Sequence, residues 1–208
     1  MTSTGAERST ERPADLQLAR WIVQAQRGDV TAFEELVHLH ERRVYGIAWR
    51  LLGRVEDAQD AAQEVFLRLY RSIASVDPGR PLAPWLHRVT VNVCRDLGRR
   101  RQRLQRISSV SLDEMRQEHG TEPEDPAAGP ERRADSREEH RWLLDALATL
   151  PEKERAAIVL RDLQGLPTAE VAEALGSSPV TVRTQISRAR LKLHRLRRQL
   201  HQPSRSDS

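Results

Sequence analysis

Apolar residues recur at three- and four-residue steps along most of this chain, which is the spacing of one helix face. Two such runs open it, residues 16–27 and 30–52. In the second, Phe33, Val37, His40, Val44, Ala48 and Leu51 form the stripe. Asp29 is placed to cap that helix, and Gly28 and Gly53 to end the two runs. A third run covers about 56–73, with Ala58, Ala62, Val65 and Leu69 inward. Residues 74–84 hold Pro78, Gly79, Pro81 and Pro84 and read as a stiff loop. A fourth helix is predicted from Trp85 to about Arg103, with Leu86, Val89, Val93 and Leu97 inward.

After a polar interval the pattern resumes. Residues 138–164 give two helices, the first carrying Leu143, Leu147 and Leu150 and the second starting at Pro151 as its first residue. Thr168 is expected to cap a short helix whose Val171, Ala172 and Leu175 face inward. Gly176 makes a turn. Ser178 caps a last long helix with Pro179 in its first position and Val182, Ile186, Ala189 and Leu193 as its stripe. A short helix, a glycine turn and a longer helix make a helix–turn–helix. The fold class is therefore all-α: two small helical domains joined by a flexible acidic linker, the second containing the helix–turn–helix. The bounds are 16–104, 105–137 and 138–200.

Charge sharpens that division. The net charge is +4, but residues 16–104 carry 15 bases and 10 acids, residues 105–137 carry 5 and 8, and residues 138–208 carry 12 and 9. The acidic middle holds Pro123, Pro126, Pro130, Gly120 and Gly129 and too few apolar residues for a core. One cysteine, Cys94, excludes a disulfide framework. The polar start lacks the pattern of a signal peptide, and no stretch approaches the roughly 18 apolar residues of a membrane span. A cytoplasmic protein with no membrane span is expected. No nucleotide-binding, zinc-protease or nucleophile-elbow motif is present. No catalytic residue, metal or cofactor is expected, and the seven histidines read as surface or packing residues.

Three helix faces carry candidate chemistry. On the third helix Asp60, Gln63, Glu64 and Leu67 project away from the apolar stripe. They fit either a solvated face or a docking surface for a basic partner. On the fourth helix Arg88, Asn92, Arg95 and Arg99 align, and residues 95–106 hold six arginines against one acid. That arrangement suits phosphate binding, or simple placement of bases at a helix C-terminus. On the last helix Thr181, Arg183, Thr184, Ser187 and Arg188 face outward, and residues 183–198 hold seven bases and no acid. Hydroxyls and arginines near the start of such a helix are what duplex DNA contacts need. A three-helix interaction module is the other reading.

The stretches DAAQEVFLRLY (60–70), WLHRVTVNVCRDLGRRR (85–101) and LPEKERAAIVLRDLQGLPTAEVAEALGSSPVTVRTQISRARLKL (150–193), in that order, resemble bacterial sigma-70 family RNA polymerase sigma factors of the extracytoplasmic-function (ECF) type. The resemblance implies that the first domain binds core RNA polymerase through Asp60, Gln63, Glu64, Phe66 and Leu67. It implies capture of the single-stranded −10 element of promoter DNA near Trp85, Arg88, Asn92, Arg95, Arg99 and Arg100. The second domain would sit on the polymerase flap and read the −35 element through Thr181, Arg183, Thr184, Ser187 and Arg188. A cognate anti-sigma factor is a further implied partner. The chain departs from the family at Gln59, where the pattern often has Glu, and in the proline-rich loop around Pro84. The alternative function is a stand-alone helix–turn–helix transcriptional regulator, which would not need the Asp60–Leu67 face.

Overall fold

The computed structural model describes residues 13–107, 139 and 141–201, and among these every regular element is helical. Four helices form the N-terminal unit: α1 (Pro13–Gln26), α2 (Val30–Leu52), α3 (Val55–Ser72) and α4 (Leu82–Ile107). The C-terminal unit has α5 over residues 141–148, α6 (Glu152–Ile158), α7 (Thr168–Leu175) and α8 (Pro179–His201). The acidic segment read as a linker lies, beyond Ile107, outside the described residues.

α2 is the central strut of the first unit and packs on α1, α3 and α4. Asp29 starts it by accepting the Ala32 N–H at 3.2 Å. Gly53 ends it in the left-handed region, φ 75°, a conformation that costs glycine little. The buried stripe is wider than the expected one, because Leu36, Ile47 and Trp49 are buried while Phe33 and Val37 stay half-exposed. The same one-residue broadening brings Ala61 into the core on α3.

The predicted loop 74–84 is shorter than expected. A 3-10 turn occupies Ile73–Ser75, and α4 begins at Leu82 rather than Trp85. Pro84 is thus helical. It sits in the first turn, where its missing N–H would have had no partner. Leu82, only 2% exposed, anchors that turn. The Gln26 side-chain amide holds the start of the loop, donating to Ile73 O at 3.1 Å and Val76 O at 2.7 Å.

Two expected caps move by one residue. Pro151 and Pro167 are the N-cap residues of α6 and α7, so Pro151 is not the first helical residue and Thr168 is not a cap. Proline's fixed φ suits the extended N-cap position here (φ −54° and −57°). Ser178 does cap α8: its hydroxyl accepts the Thr181 N–H at 3.1 Å. A feature absent from the pattern is the π turn Val159–Leu163 that continues α6, closed by Gln164 N–H to Val159 O at 3.0 Å.

The two units pack on each other. α4 lies along α7, and the C-terminal end of α2 meets the π turn. Arg155 of α6 donates from Nη1 to Leu51 O at 2.8 Å and from Nη2 to Ala148 O at 2.9 Å and Leu150 O at 3.1 Å. Arg95 Nε of α4 meets Glu152 Oε1 of α6 at 2.5 Å. One run of buried apolar residues, from Ile22 to Ala189, passes through both units.

Two polar side chains inside the N-terminal unit stand out. His40 and His87 are 8% and 3% exposed, and His40 Nε2 and both ring nitrogens of His87 have no hydrogen-bond partner. Burial, reinforced by the nearby Arg43 guanidinium, pushes both imidazoles down to about 4. A folded-state value below the unfolded one means that protonation favours unfolding. The stability is complete above about pH 6.5 and is lost as pH falls toward 4. Each imidazole contributes roughly 2–3 kcal/mol to that loss at 1.36 kcal/mol per unit. Urea denaturation of the full chain between pH 7.5 and 4 should show the decline, and His87→Leu should remove about half of it. An equal pH dependence in wild type and variant would contradict the assignment.

Candidate polymerase and nucleic-acid interfaces

On α3, Asp60, Gln63 and Leu67 follow one another along an exposed strip, with Leu67 42% exposed. Glu64 and Phe66 are half-buried at its sides. Glu64 is not a free carboxylate, because Arg68 Nε donates to its Oε1 at 2.8 Å. Among the described residues Asp60 has no ion pair, so it carries the unneutralised acid of this face. Tyr70 extends the strip beyond the residues expected on it. It is 60% exposed and stands edge-on to Phe33, with centroids 5.3 Å apart at 81°. Its position three residues past Leu67 and seven past Gln63 is the signal in the sequence that could have found it.

α4 divides its arginines. Arg88, Arg99 and Arg100 are exposed. Arg95 is engaged with Glu152, and Arg101 Nη1 meets Asp57 Oδ2 of α3 at 2.6 Å. Trp85 and Asn92 are half-buried. One face of the middle of the helix is closed to solvent: Leu86, His87, Thr90, Val91, Val93 and Cys94 are all buried. The Thr90 hydroxyl is satisfied by donating to Leu86 O at 2.7 Å. Burial pushes the Cys94 thiol up to about 12, which makes it inert.

α8 presents Thr181, Arg183, Thr184, Ser187 and Arg188 exposed, opposite the buried Val182, Ile186 and Ala189. Arg183 and Arg188 have no ion pair among the described residues. Two other bases of the helix are held: Arg190 by Asp162 of the π turn through a two-point contact at 2.6 and 2.8 Å, and Lys192 by Glu154 at 2.8 Å. Charge count alone could not separate these groups. The hydroxyl of Thr184 bonds Val180 O at 3.2 Å, and that of Thr181 lies 2.9 Å from Ser178 Oγ. Val180, 67% exposed at the helix start, lies outside the expected set and offers an apolar surface of the kind that meets a thymine methyl. Among the described residues no group of three or more His, Cys, Asp or Glu side chains is placed to hold a metal. No described helix is long and apolar enough to cross a membrane.

Residues 36–104 match the family model for sigma-70 region 2, and residues 140–193 the model for sigma-70 region 4. The ECF RNA polymerase sigma-E factor of Haemophilus influenzae is 34% identical over 170 residues, covering 81% of this chain and 89% of its own. The chain belongs to the ECF sigma factors of the sigma-70 family. The ECF sigma factor SigE of Mycolicibacterium smegmatis is 38% identical, with 78% of this chain matching 60% of that protein's length. SigW of Bacillus subtilis is 29% identical and is covered in full. Among solved structures, CnrH in complex with the cytosolic domain of CnrY is 27% identical, with TM-score 0.60 over 86% of this chain and 96% of that one. RpoE of Bartonella quintana, in complex with the anti-sigma factor NepR, shares the fold at TM-score 0.64 and 22% identity, over 80% and 96% of the two chains.

As an ECF sigma factor the chain works with core RNA polymerase at promoter DNA, recognising −35 and −10 elements to start transcription. Its α8 geometry separates structural from exposed bases. Arg190→Ala should lower stability by roughly 0.5–1 kcal/mol, the scale of an exposed ion pair of good geometry. It should leave −35 sequence preference unchanged. Thermal unfolding and promoter selection with holoenzyme check the two halves, and an altered −35 preference would contradict the separation.

Proposed function

We propose that three faces divide the work of this sigma factor: the Asp60–Leu67 strip on core polymerase, the α4 surface on the −10 strand, and the start of α8 on the −35 duplex. The division into 16–104, 105–137 and 138–200 follows the same assignment. The observation that carries the proposal is the start of α8. Five polar or basic side chains stand exposed on one face of a helix whose first turn Ser178 caps. A recognition helix entering the major groove needs such a bare, rigid N-terminal half. Arg183 and Arg188 can each reach a guanine edge or a phosphate.

On α4 the exposed Arg88, Arg99 and Arg100 supply phosphate contacts, and Trp85 and Asn92 meet unstacked bases. The C-terminal unit seats on the polymerase flap through a mainly apolar groove lined by Leu143, Leu147, Ile158, Leu163 and Leu193, with the Asp162–Arg190 ion pair in its wall. The chain performs no chemistry of its own and acts in the cytoplasm, where polymerase catalyses RNA synthesis. A cognate anti-sigma factor covers the same surfaces until a signal releases it, a reading supported by the complex of CnrH with the cytosolic domain of CnrY.

Asp60→Arg should weaken core binding by about 1–3 kcal/mol through like-charge contact with a basic partner. Because Asp60 is exposed, folding should be unaffected. Fluorescence titration with core polymerase measures this, and wild-type affinity would remove the α3 strip from the interface.

For α8, promoter selection over a randomised −35 hexamer should show relaxed preference at one position for Arg183→Ala or Arg188→Ala. The discrimination should fall by about 1–3 kcal/mol if the arginine makes a bidentate guanine contact. A uniform weakening over all sequences would make both arginines phosphate contacts instead. Arg99→Ala with Arg100→Ala should weaken all promoters and reduce the salt slope by roughly one unit for each phosphate no longer bound.

A further inference from the structure

The buried face of α4 follows one spacing. Thr90 and Cys94, both buried, and the half-buried Leu97 recur at steps of four and three. The next position on that line, four residues on, is Arg101. An arginine therefore stands where the packing pattern asks for an apolar residue. It does not reach into solvent as its neighbours do. Arg99, Arg100 and Arg103 are exposed, whereas the Arg101 side chain is only 27% exposed and its Nη1 meets Asp57 Oδ2 of α3 at 2.6 Å.

α3 and α4 pack side by side, and this pair joins the first turn of α3 to the last two turns of α4. Helix dipoles favour it at both ends, since an acid suits the start of one helix and a base the end of the other. The same Asp57 oxygen lies 4.0 Å from Nε of Arg54, the residue before α3, so the carboxylate is held from two sides. At 3.6 residues per turn, Arg99 lies about 160° round the helix from Arg101, and Arg103 about 160° the other way. Arg88 and Asn92 fall on that same far side. Holding Arg101 on α3 therefore aims the exposed bases outward. A leucine at this position would be buried without direction, whereas a charge-assisted hydrogen bond fixes the roll of the helix end about its axis.

We propose that Asp57 is a positioning residue for promoter binding: it holds Arg101 against α3 and so turns the arginine-bearing end of α4 toward the DNA strand. Asp57 itself touches no nucleic acid. The proposal rests on the assignment of α4 to the −10 strand. Charge alone predicts the reverse effect. Loss of a carboxylate beside a phosphate-binding helix would strengthen attraction to DNA and free Arg101 for a further phosphate contact.

The test uses full-length variants assembled with saturating core polymerase, so that affinity for core does not enter. Binding to a linear promoter duplex, obtained by selection with wild-type holoenzyme, is titrated against salt. Asp57→Asn removes a negative charge and Arg101→Gln a positive one, each with little change of shape. Both should weaken binding by about three- to tenfold and reduce the salt slope by about one, the loss of one phosphate contact. The double variant should be no weaker than either single variant. In a chain that already carries Arg99→Ala and Arg100→Ala, Asp57→Asn should have no further effect, because the groups it positions are gone.

Asp57 also lies in the first turn of α3, whose N-cap Arg54 makes no side-chain bond, so thermal unfolding is measured alongside. A purely structural role would lower the unfolding temperature of Asp57→Asn and leave its salt slope unchanged. Arg101→Gln leaves the first turn of α3 intact and decides if Asp57→Asn fails to fold. Promoter binding by Asp57→Asn equal to or tighter than wild type would overturn the positioning role. So would a double variant that loses the product of the two single effects. If Arg99→Ala with Arg100→Ala binds promoter as wild type does, the assignment of α4 to DNA falls and the positioning role falls with it. If that variant binds weakly while Asp57→Asn binds normally, only the positioning role falls.

Discussion

The central turns of α4 bury one broad face, and the arrangement of the other helices follows from that. A helix whose buried face is this wide needs more than one neighbour to cover it. Leu86 and Val93 share one side, Cys94 and Val91 widen it, and His87 and Thr90 fill the gaps between them. α2 and α3 cover one side and α7 the other. Removing the C-terminal unit would leave part of this surface in water. That apolar burial holds the two units together. Hydrophobic burial is not directional, whereas Arg155 and Glu152 fix where along α4 the second unit sits.

The same helix shows how function competes with packing. Its first half buries one broad face and leaves Arg88 exposed on the other, and its last turns, from Arg99 onward, carry charge. Between the two lie Asn92 and Arg95, half-buried and adjacent to the second unit. Arg99 and Arg100, further along, stand exposed.

Helix existence and most faces were legible because the periodicity is strong. Asp29, Gly53, Ser178 and Gly176 marked their boundaries by local chemistry that tertiary context does not override. The misses have local causes. Pro84 reads as a loop residue unless Leu82 is known to be buried, and burial is not a local property. Pro151 and Pro167 fit the first helical position and the position before it almost equally well. The π turn adds a residue to the repeat without any residue type that announces it. On the functional faces, composition identified α8 and α3, but it could not tell Arg188 from Arg190 or see that Arg68 neutralises Glu64. The first distinction depends on the acid that the π turn brings near, whereas the Glu64–Arg68 pair lies within α3 at a four-residue spacing that the sequence displays. The packing of the two units on each other was not legible at all, since Arg155 finds Leu51 across 104 residues of chain.

Gln26 sets a practical boundary. The sigma-70 region 2 match begins at residue 36, yet the amide that supports Ile73 O and Val76 O comes from α1, ahead of that point. A fragment cut to the matched region would lose both hydrogen bonds and also Ile22, which is fully buried. The loop leading into α4 would then hang from its two ends alone, and the entry angle of that helix would no longer be set by a third support. The working unit for dissection or transplantation of this module is therefore larger than its recognisable sequence signature, and its N-terminal limit is fixed by a side chain that the signature does not contain.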